Sequence, residues 1–495
     1  MSLHRVAWMA LRAAFWALMA ASMALALAAG AQPFETAPAP AAPRPLTIAA
    51  PTEQRLPNGL RVVLAARPGV RLVTAQLVVL SGSEADPPMR AGLAGMAAGL
   101  LTKGTRQRSA SAQAREAESL GGALESSAGW HQSQVSITVT VPQLDRALAL
   151  LGDAAVRPSF APAELARLRT QSLDSLKVAY SQPATLAALE ADHRLFGAHP
   201  YGHPVEGTPA SLRRITRVDL VTFHEARYRP DNAVLVLAGD IDDATALRLA
   251  ARHFGPWAAA RGAVPAPAAA WAGAAATTSP ATVVVIDMPK ADQAALVFAL
   301  PLPALRADRA TAAVMNAVLG GDFSSRLNQQ IRIQRGLSYG VGSRLDARPL
   351  GGALRIGVQA RSASVAEVVA LVQAELDRLM AAPVPEAELA ARKSALIGTF
   401  GRSLETTAGL ADAVRSLVVA GLPVDELQSR AAKLAAVTAD EVQQFAAGHL
   451  GTASRRVVVA GAVADFSAAL SNQAALVVLK QDTLDPERGA GPAGR

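Results

Sequence analysis

The chain has 495 residues and no cysteine, which excludes disulfides, thiolate catalysis and cysteine-ligated metals. A single hydrophobic core stops growing near roughly 250–300 residues, so this length predicts two domains. The formal charge of +8 is dispersed, without a basic run or interleaved aromatics, which argues against a nucleic-acid surface.

At the amino end, Arg5 and Arg12 give a basic start, Ala13 to Ala29 is apolar apart from Ser22, and Ala29-Gly30-Ala31 supplies small residues for signal cleavage. Residues 1–31 read as a signal peptide leading to the periplasm, with an uncleaved anchor as the alternative. After processing, no stable membrane anchor is expected. The Pro/Ala-rich residues 32–45 read as a tether. In 46–257, the turn pair Asn58-Gly59 precedes a β-rich segment, Leu60 to Ala65, and Leu72 to Leu80 and Val135 to Val139 are further strands. Gly92 to Gly99 is a short helical stretch. Thr216, with Asp219 three residues on, forms a capping box that starts a helix through Phe223, and a strand from Ala233 to Ala238 ends before Gly239.

Residues 258–280, with Pro265, Pro267 and an alanine run, read as a linker. In 281–483, Val365, Val368, Val369, Val372, Leu376 and Leu379 recur at helical spacing. Thr438, Glu441, Phe445, a strand from Arg456 to Ala460 and Gly461 repeat the first half's plan at an offset of 222 residues. Ala-Glu-Leu-Ala at 163–166 returns at 387–390, an offset of 224, and these matches together indicate a duplicated unit. Residues 484–495 read as a flexible tail. The fold class is α+β: two homologous domains, each a mostly antiparallel sheet with helices packed on one face.

An ordered set of segments carries a family resemblance. Leu56-Pro-Asn-Gly-Leu60, Leu100-Leu-Thr-Lys-Gly-Thr105, His199-Pro-Tyr-Gly202 and Tyr228-Arg-Pro-Asp-Asn232 leading to Gly239-Asp240 lie in the first half. Ser324-Ser-Arg-Leu327, Arg332 and Gly336-Leu-Ser-Tyr339 lie in the second. In this order they resemble the pitrilysin, insulinase and mitochondrial-processing-peptidase family of metallopeptidases, over nearly everything after the tether. In catalytic members an inverted motif, His-x-x-Glu-His, holds zinc and supplies the base that activates water. The resemblance puts those positions at Gly95, Ala98 and Gly99, none of which can bind zinc or move a proton. A further glutamate ligand is implied near position 175, where Asp174 is the nearest carboxylate.

His199, His203 and Glu206 invite a metal reading, but Pro200 and Gly202 work against one helical face presenting both imidazoles. His131, beside Trp130, reads as a packing or groove residue. The resemblance implies that Arg332 and Tyr339 face a zinc centre across a cavity, as a substrate clamp and oxyanion donor. Gly320 and Gly321 before Ser324 and Ser325 make a candidate substrate loop, and Arg326 reads as structural. The leading reading is a non-catalytic subunit that holds no cofactor itself. Its partner would be a zinc-bearing homologue forming a heterodimer or related complex, and the substrate an unfolded peptide. A stand-alone peptide-binding or scaffold protein is the alternative.

Overall fold

Gly59 adopts φ 97° and the Leu56 and Leu60 backbones close the turn around it, as the Asn-Gly pair leads one to expect. The computed structural model describes residues 48–258, 262–266, 269–271, 282–481 and 484. The expected signal peptide (1–31) and tether (32–45) lie outside the described residues, as do parts of the linker (258–280) and most of the tail (484–495).

In the first half, β1 (Thr52–Arg55), β2 (Arg61–Ala66) and β3 (Leu72–Val79) precede α1 (Leu93–Leu100) and α2 (Ala110–Ser119). Strands β4 (Glu125–Ala128) and β5 (Ser133–Thr140) follow, then α3 (Leu144–Val156), α4 (Pro162–Ala179), α5 (Pro183–Phe196), α6 (Pro209–Arg214) and α7 (Arg217–Arg227). β6 (Ala233–Gly239) and α8 (Asp243–Phe254) complete it. The second half opens with β7 (Thr282–Asp287), β8 (Ala294–Leu302), α9 (Arg309–Leu319), β9 (Ser338–Asp346) and β10 (Gly352–Ala360). Five helices follow: α10 (Val365–Ala381), α11 (Glu386–Ser403), α12 (Thr407–Val419), α13 (Glu426–Ala436) and α14 (Ala439–His449). The half closes with β11 (Arg456–Gly461), α15 (Ser467–Ser471) and β12 (Ala475–Lys480).

The strands form two sheets, β1-β2-β6-β3-β5-β4 and β12-β7-β11-β8-β10-β9. From the second position onward the orders match, with β2/β6 and β7/β11 parallel and the remaining shared pairings antiparallel. The edges differ. β1 precedes its unit and pairs antiparallel, whereas β12 follows its unit and pairs parallel. The duplicated residues fall on matching elements. Thr216 and Thr438 each accept from the N–H three residues on, at 3.2 Å, and Asp219 and Glu441 each accept from the threonine N–H, at 2.7 and 2.8 Å. Phe223 and Phe445 are buried beneath these helices. Gly239 and Gly461 end equivalent strands where a Cβ would stand 2.1 Å from Leu72 O and 2.9 Å from Ala294 Cβ. Leu165 and Leu389, from the repeated tetrapeptide, are both core residues of matching 18-residue helices.

Each half packs helices of its own on one face of its sheet, making the two large cores. The opposite face of each central sheet region is covered by a helix from the other half. Leu410, Ala411, Val414 and Leu417 of α12 cover Val63, Val78, Val234 and Val236 of the first sheet. Leu186, Ala187, Ala191 and Leu195 of α5 cover Val284, Ile286, Val297 and Val458 of the second. This exchange explains the strand sequences. β6 is buried at every residue and reads as a continuous apolar run, whereas β5, further from the covering helix, alternates buried and half-buried positions. Both halves belong to one compact unit beginning at Thr47.

Candidate functional site

Helix α1 begins at Gly92, whose φ of 89° requires glycine. The Asp86 carboxylate accepts from the N–H groups of Gly92 and Ala94, 2.8 Å each, and so closes donors that the first turn leaves open. Burial raises the Asp86 carboxyl to about 8 and that of neighbouring Glu84 to about 7.

Gly95 and Gly99 lie one turn apart on α1. A Cβ at Gly95 would stand 3.8 Å from the Val205 carbonyl, and one at Gly99 only 3.2 Å from Leu168 Cδ2 of α4. Ala98 is fully buried. These residues do not fit a zinc ion: none carries a donor atom, and Leu168 closes the space before position 99. Asp174 and Ser175 border a separate surface cleft with Arg167, Thr170 and Gln171. Among the described residues, no three His, Asp or Glu side chains come together as metal ligands would.

His199 caps a short 3₁₀ turn over Pro200–Gly202, accepting from Tyr201 N at 3.2 Å through Nδ1, while its Nε2 lies 3.0 Å from Ala269 O. His203 turns its Nδ1 to the Pro204 carbonyl at 3.2 Å. Burial lowers the pKa of both rings. The regular helix needed to aim the two imidazoles together is absent at this turn.

In the second half, Gly320 ends α9. Cβ atoms at Gly320 and Gly321 would meet Ser343 N at 2.7 Å and Asn316 Nδ2 at 2.4 Å. Gly320 therefore permits the close approach of α9 to β9, where Ser343 N donates to Gly320 O at 3.0 Å, and Gly321 lets the chain turn tightly back over Asn316 of α9. Ser324 accepts from Arg392 through its side chain and backbone, and Ser325 is buried. Arg326 pairs with Glu388 at 2.8 Å and with Glu375 at 3.3 Å, a structural ion-pair cluster. Arg332 lies in a one-turn π-helix, Asn328–Ile333, the irregular form that recurs at functional positions. Its guanidinium sits 4.9 Å from the Phe323 ring centre. Tyr339, at the start of edge strand β9, is 89% exposed, and Phe323 and Ile333 beside the π-turn are 62% and 49% exposed. The second half thus presents an arginine, a tyrosine and two apolar side chains to solvent.

A second constellation joins the halves and was not read from the sequence. Arg348, buried between β9 and β10, places its guanidinium 4.2 Å from the Trp130 ring centre, 4.4 Å from Tyr201 and 5.2 Å from Phe196. Asp346 pairs with both Arg348 and Arg355, and Arg355 reaches Asp192 of α5 at 2.7 Å. His131 makes a hydrogen bond with the Tyr201 hydroxyl, and its pKa falls to about 4, chiefly through burial. The packing role expected of His131 matches this position. Trp130 and Tyr201 were visible as isolated signals, but the cage around Arg348 draws on residues 130–131, 192–201 and 346–355, and no spacing in the sequence links these stretches.

Comparison with known proteins agrees with this architecture. Residues 61–208 match the family model described as insulinase (peptidase family M16), and residues 214–396 match the peptidase M16 inactive domain. An uncharacterised zinc protease of Mycobacterium leprae is 30% identical over 71% of this chain and 78% of that protein. A non-peptidase homologue of Helicobacter pylori is 26% identical over 75% of this chain and 85% of that protein. The crystal structure of a peptidase M16 inactive domain from Pseudomonas fluorescens superposes with a TM-score of 0.75 at 26% identity, covering 83% of this chain and 98% of that one. The chain belongs to the M16, or pitrilysin–insulinase, family.

Proposed function

We propose that this chain is a non-catalytic subunit of a heteromeric periplasmic zinc peptidase, working beside a zinc-bearing homologue on unfolded peptides. The observation that carries the reading is the α1 face. Gly95, Ala98 and Gly99 replace two ligands and a base at once, and Leu168 fills the space in front. The similarity to a non-peptidase homologue supports it. The part this chain plays is to bring Arg332 and Tyr339 to the partner's substrate. The guanidinium holds a peptide carbonyl or carboxylate, and the phenol donates to the oxyanion that develops on the attacked carbonyl. Both side chains lie at the surface, where a second chain can reach them.

The test is reconstitution of the mature chain with its zinc-bearing relative. If Tyr339 is an oxyanion donor, Tyr339→Phe lowers turnover about a hundredfold, or about 3 kcal/mol, with the complex intact. Arg332→Ala also weakens substrate capture. Intact complexes with unchanged kinetics in both variants would reject the clamp, and failure to assemble would favour a stand-alone binding role.

A further inference from the structure

A cavity of about 620 Å³ opens in the first half, where the end of α3 and the turn after it meet α7 and Trp257. None of its lining residues belongs to the α1 face or to the region of Arg332. Its inner wall is aromatic. Phe160 meets the His224 ring edge-on at 5.5 Å, His224 stacks on Tyr228 at 4.5 Å, and Trp257 is 8% exposed. Phe160 holds φ at 44°, a conformation that costs a bulky residue energy and persists only where the surroundings enforce it. Arg217 enforces it, donating from Nε to Phe160 O at 3.0 Å and from Nη2 to Ser159 O at 3.2 Å. These partners are neutral carbonyls, and among the described residues no carboxylate forms an ion pair with Arg217.

Arg106 stands exposed at the mouth of the same cavity. Its positive charge, after burial, helps to lower the pKa of His224, which falls to about 4 and leaves that ring neutral near pH 7. The third lining arginine, Arg229, is paired through both arms with Asp231, at 2.9 and 2.7 Å. Arg106 and Arg217 therefore line this cavity together with one carboxylate, Glu225, and with the rings of Phe160, Tyr228 and Trp257. Its size, its aromatic side chains and its two arginines are attributes of a small-ligand pocket.

We propose that this cavity binds an aromatic carboxylate, its ring against Phe160 and Trp257 and its charge between Arg106 and Arg217. Two sources share that chemistry, a free aromatic acid and the carboxyl terminus of a peptide ending in an aromatic residue. Titration calorimetry on the full mature chain distinguishes them with indole-3-propionate as the free acid and N-acetyl-tryptophan as the terminus mimic. Saturable one-site binding of either is expected, with the tighter probe identifying the source. Indole, which lacks the carboxylate, should bind at least about tenfold more weakly. Arg106→Gln should weaken both acids by a similar factor, and Arg106→Glu by more, with circular dichroism showing each variant folded. No saturable binding of either acid would overturn the proposal, as would equal affinity for indole or for folded Arg106→Gln protein.

Discussion

Arg348 carries a charge into a site that offers one shared carboxylate and three ring faces. Its Nε and Nη1 meet no acceptor, and the faces of Trp130 and Tyr201 stand close to the guanidinium instead. Removing the side chain leaves a void among aromatics and deprives Asp346 of one of two partners, so Arg348→Ala should cost about 2–4 kcal/mol in urea unfolding. Arg348→Lys should recover only part, because an ammonium has no planar face to lay between two rings. His224 makes a separate prediction. Burial sets its folded pKa near 4 against 6.5 for the free ring, so the unfolded chain takes up the proton first as pH falls. The stability held by neutral His224 is present above about pH 6.5 and drains as pH falls toward 4. His224→Gln has no such proton to take up. The wild-type advantage over this variant should therefore shrink by about 2 kcal/mol between pH 7 and pH 4.5, and a constant difference would contradict the assignment.

At the scale of elements, α1 makes the case against a resident zinc testable. Gly99→His places an imidazole where Leu168 Cδ2 already lies within 3.2 Å of a Cβ, so it should destabilise by about 1–3 kcal/mol. The triple change Gly95→His, Ala98→Glu, Gly99→His should still retain no zinc through dialysis, since Asp174, the nearest carboxylate to the third ligand position, borders a separate surface cleft; elemental analysis checks this. Much of this level was legible in the sequence. Capping boxes at Thr216 and Thr438, strands ending at Gly239 and Gly461, and the buried face from Val365 to Leu379 are local patterns, set by backbone donors and by helical period. The missing zinc ligands were legible only through the resemblance, which assigns the ligand and base positions to Gly95, Ala98 and Gly99; none of those residue types has a donor atom. The exchange of α5 and α12 was not legible. Each helix has an apolar face, but periodicity states only that a face is buried, not which sheet receives it. The cage around Arg348 was hidden likewise, because its members meet only once the halves have docked.

At the scale of the whole molecule, the exchanged helices make the halves depend on one another. Without α12, the first sheet would bare Val63, Val78, Val234 and Val236; without α5, the second would bare Val284, Val297 and Val458. Fully exposing each such side chain costs roughly 1.5–3 kcal/mol, so three or four together are comparable to the whole margin of an ordinary domain, roughly 5–15 kcal/mol. Calorimetry on the intact chain should show one cooperative transition, and residues 46–257 expressed alone should fail to fold stably; two independent transitions would contradict this coupling. The duplicated design also bears on function. One half carries a helix whose Gly95, Ala98 and Gly99 offer no zinc ligand, while the other presents Arg332 and Tyr339 at its surface, the arrangement that the proposed role beside a zinc-bearing partner would use. The most direct test is peptide turnover by a zinc-bearing M16 relative from the same cell, titrated with this chain. The expected result is negligible turnover by this chain alone and a rise in the relative's rate that saturates at a fixed stoichiometry. Chelator-sensitive turnover by this chain alone, or a relative whose rate ignores its addition, would contradict the account.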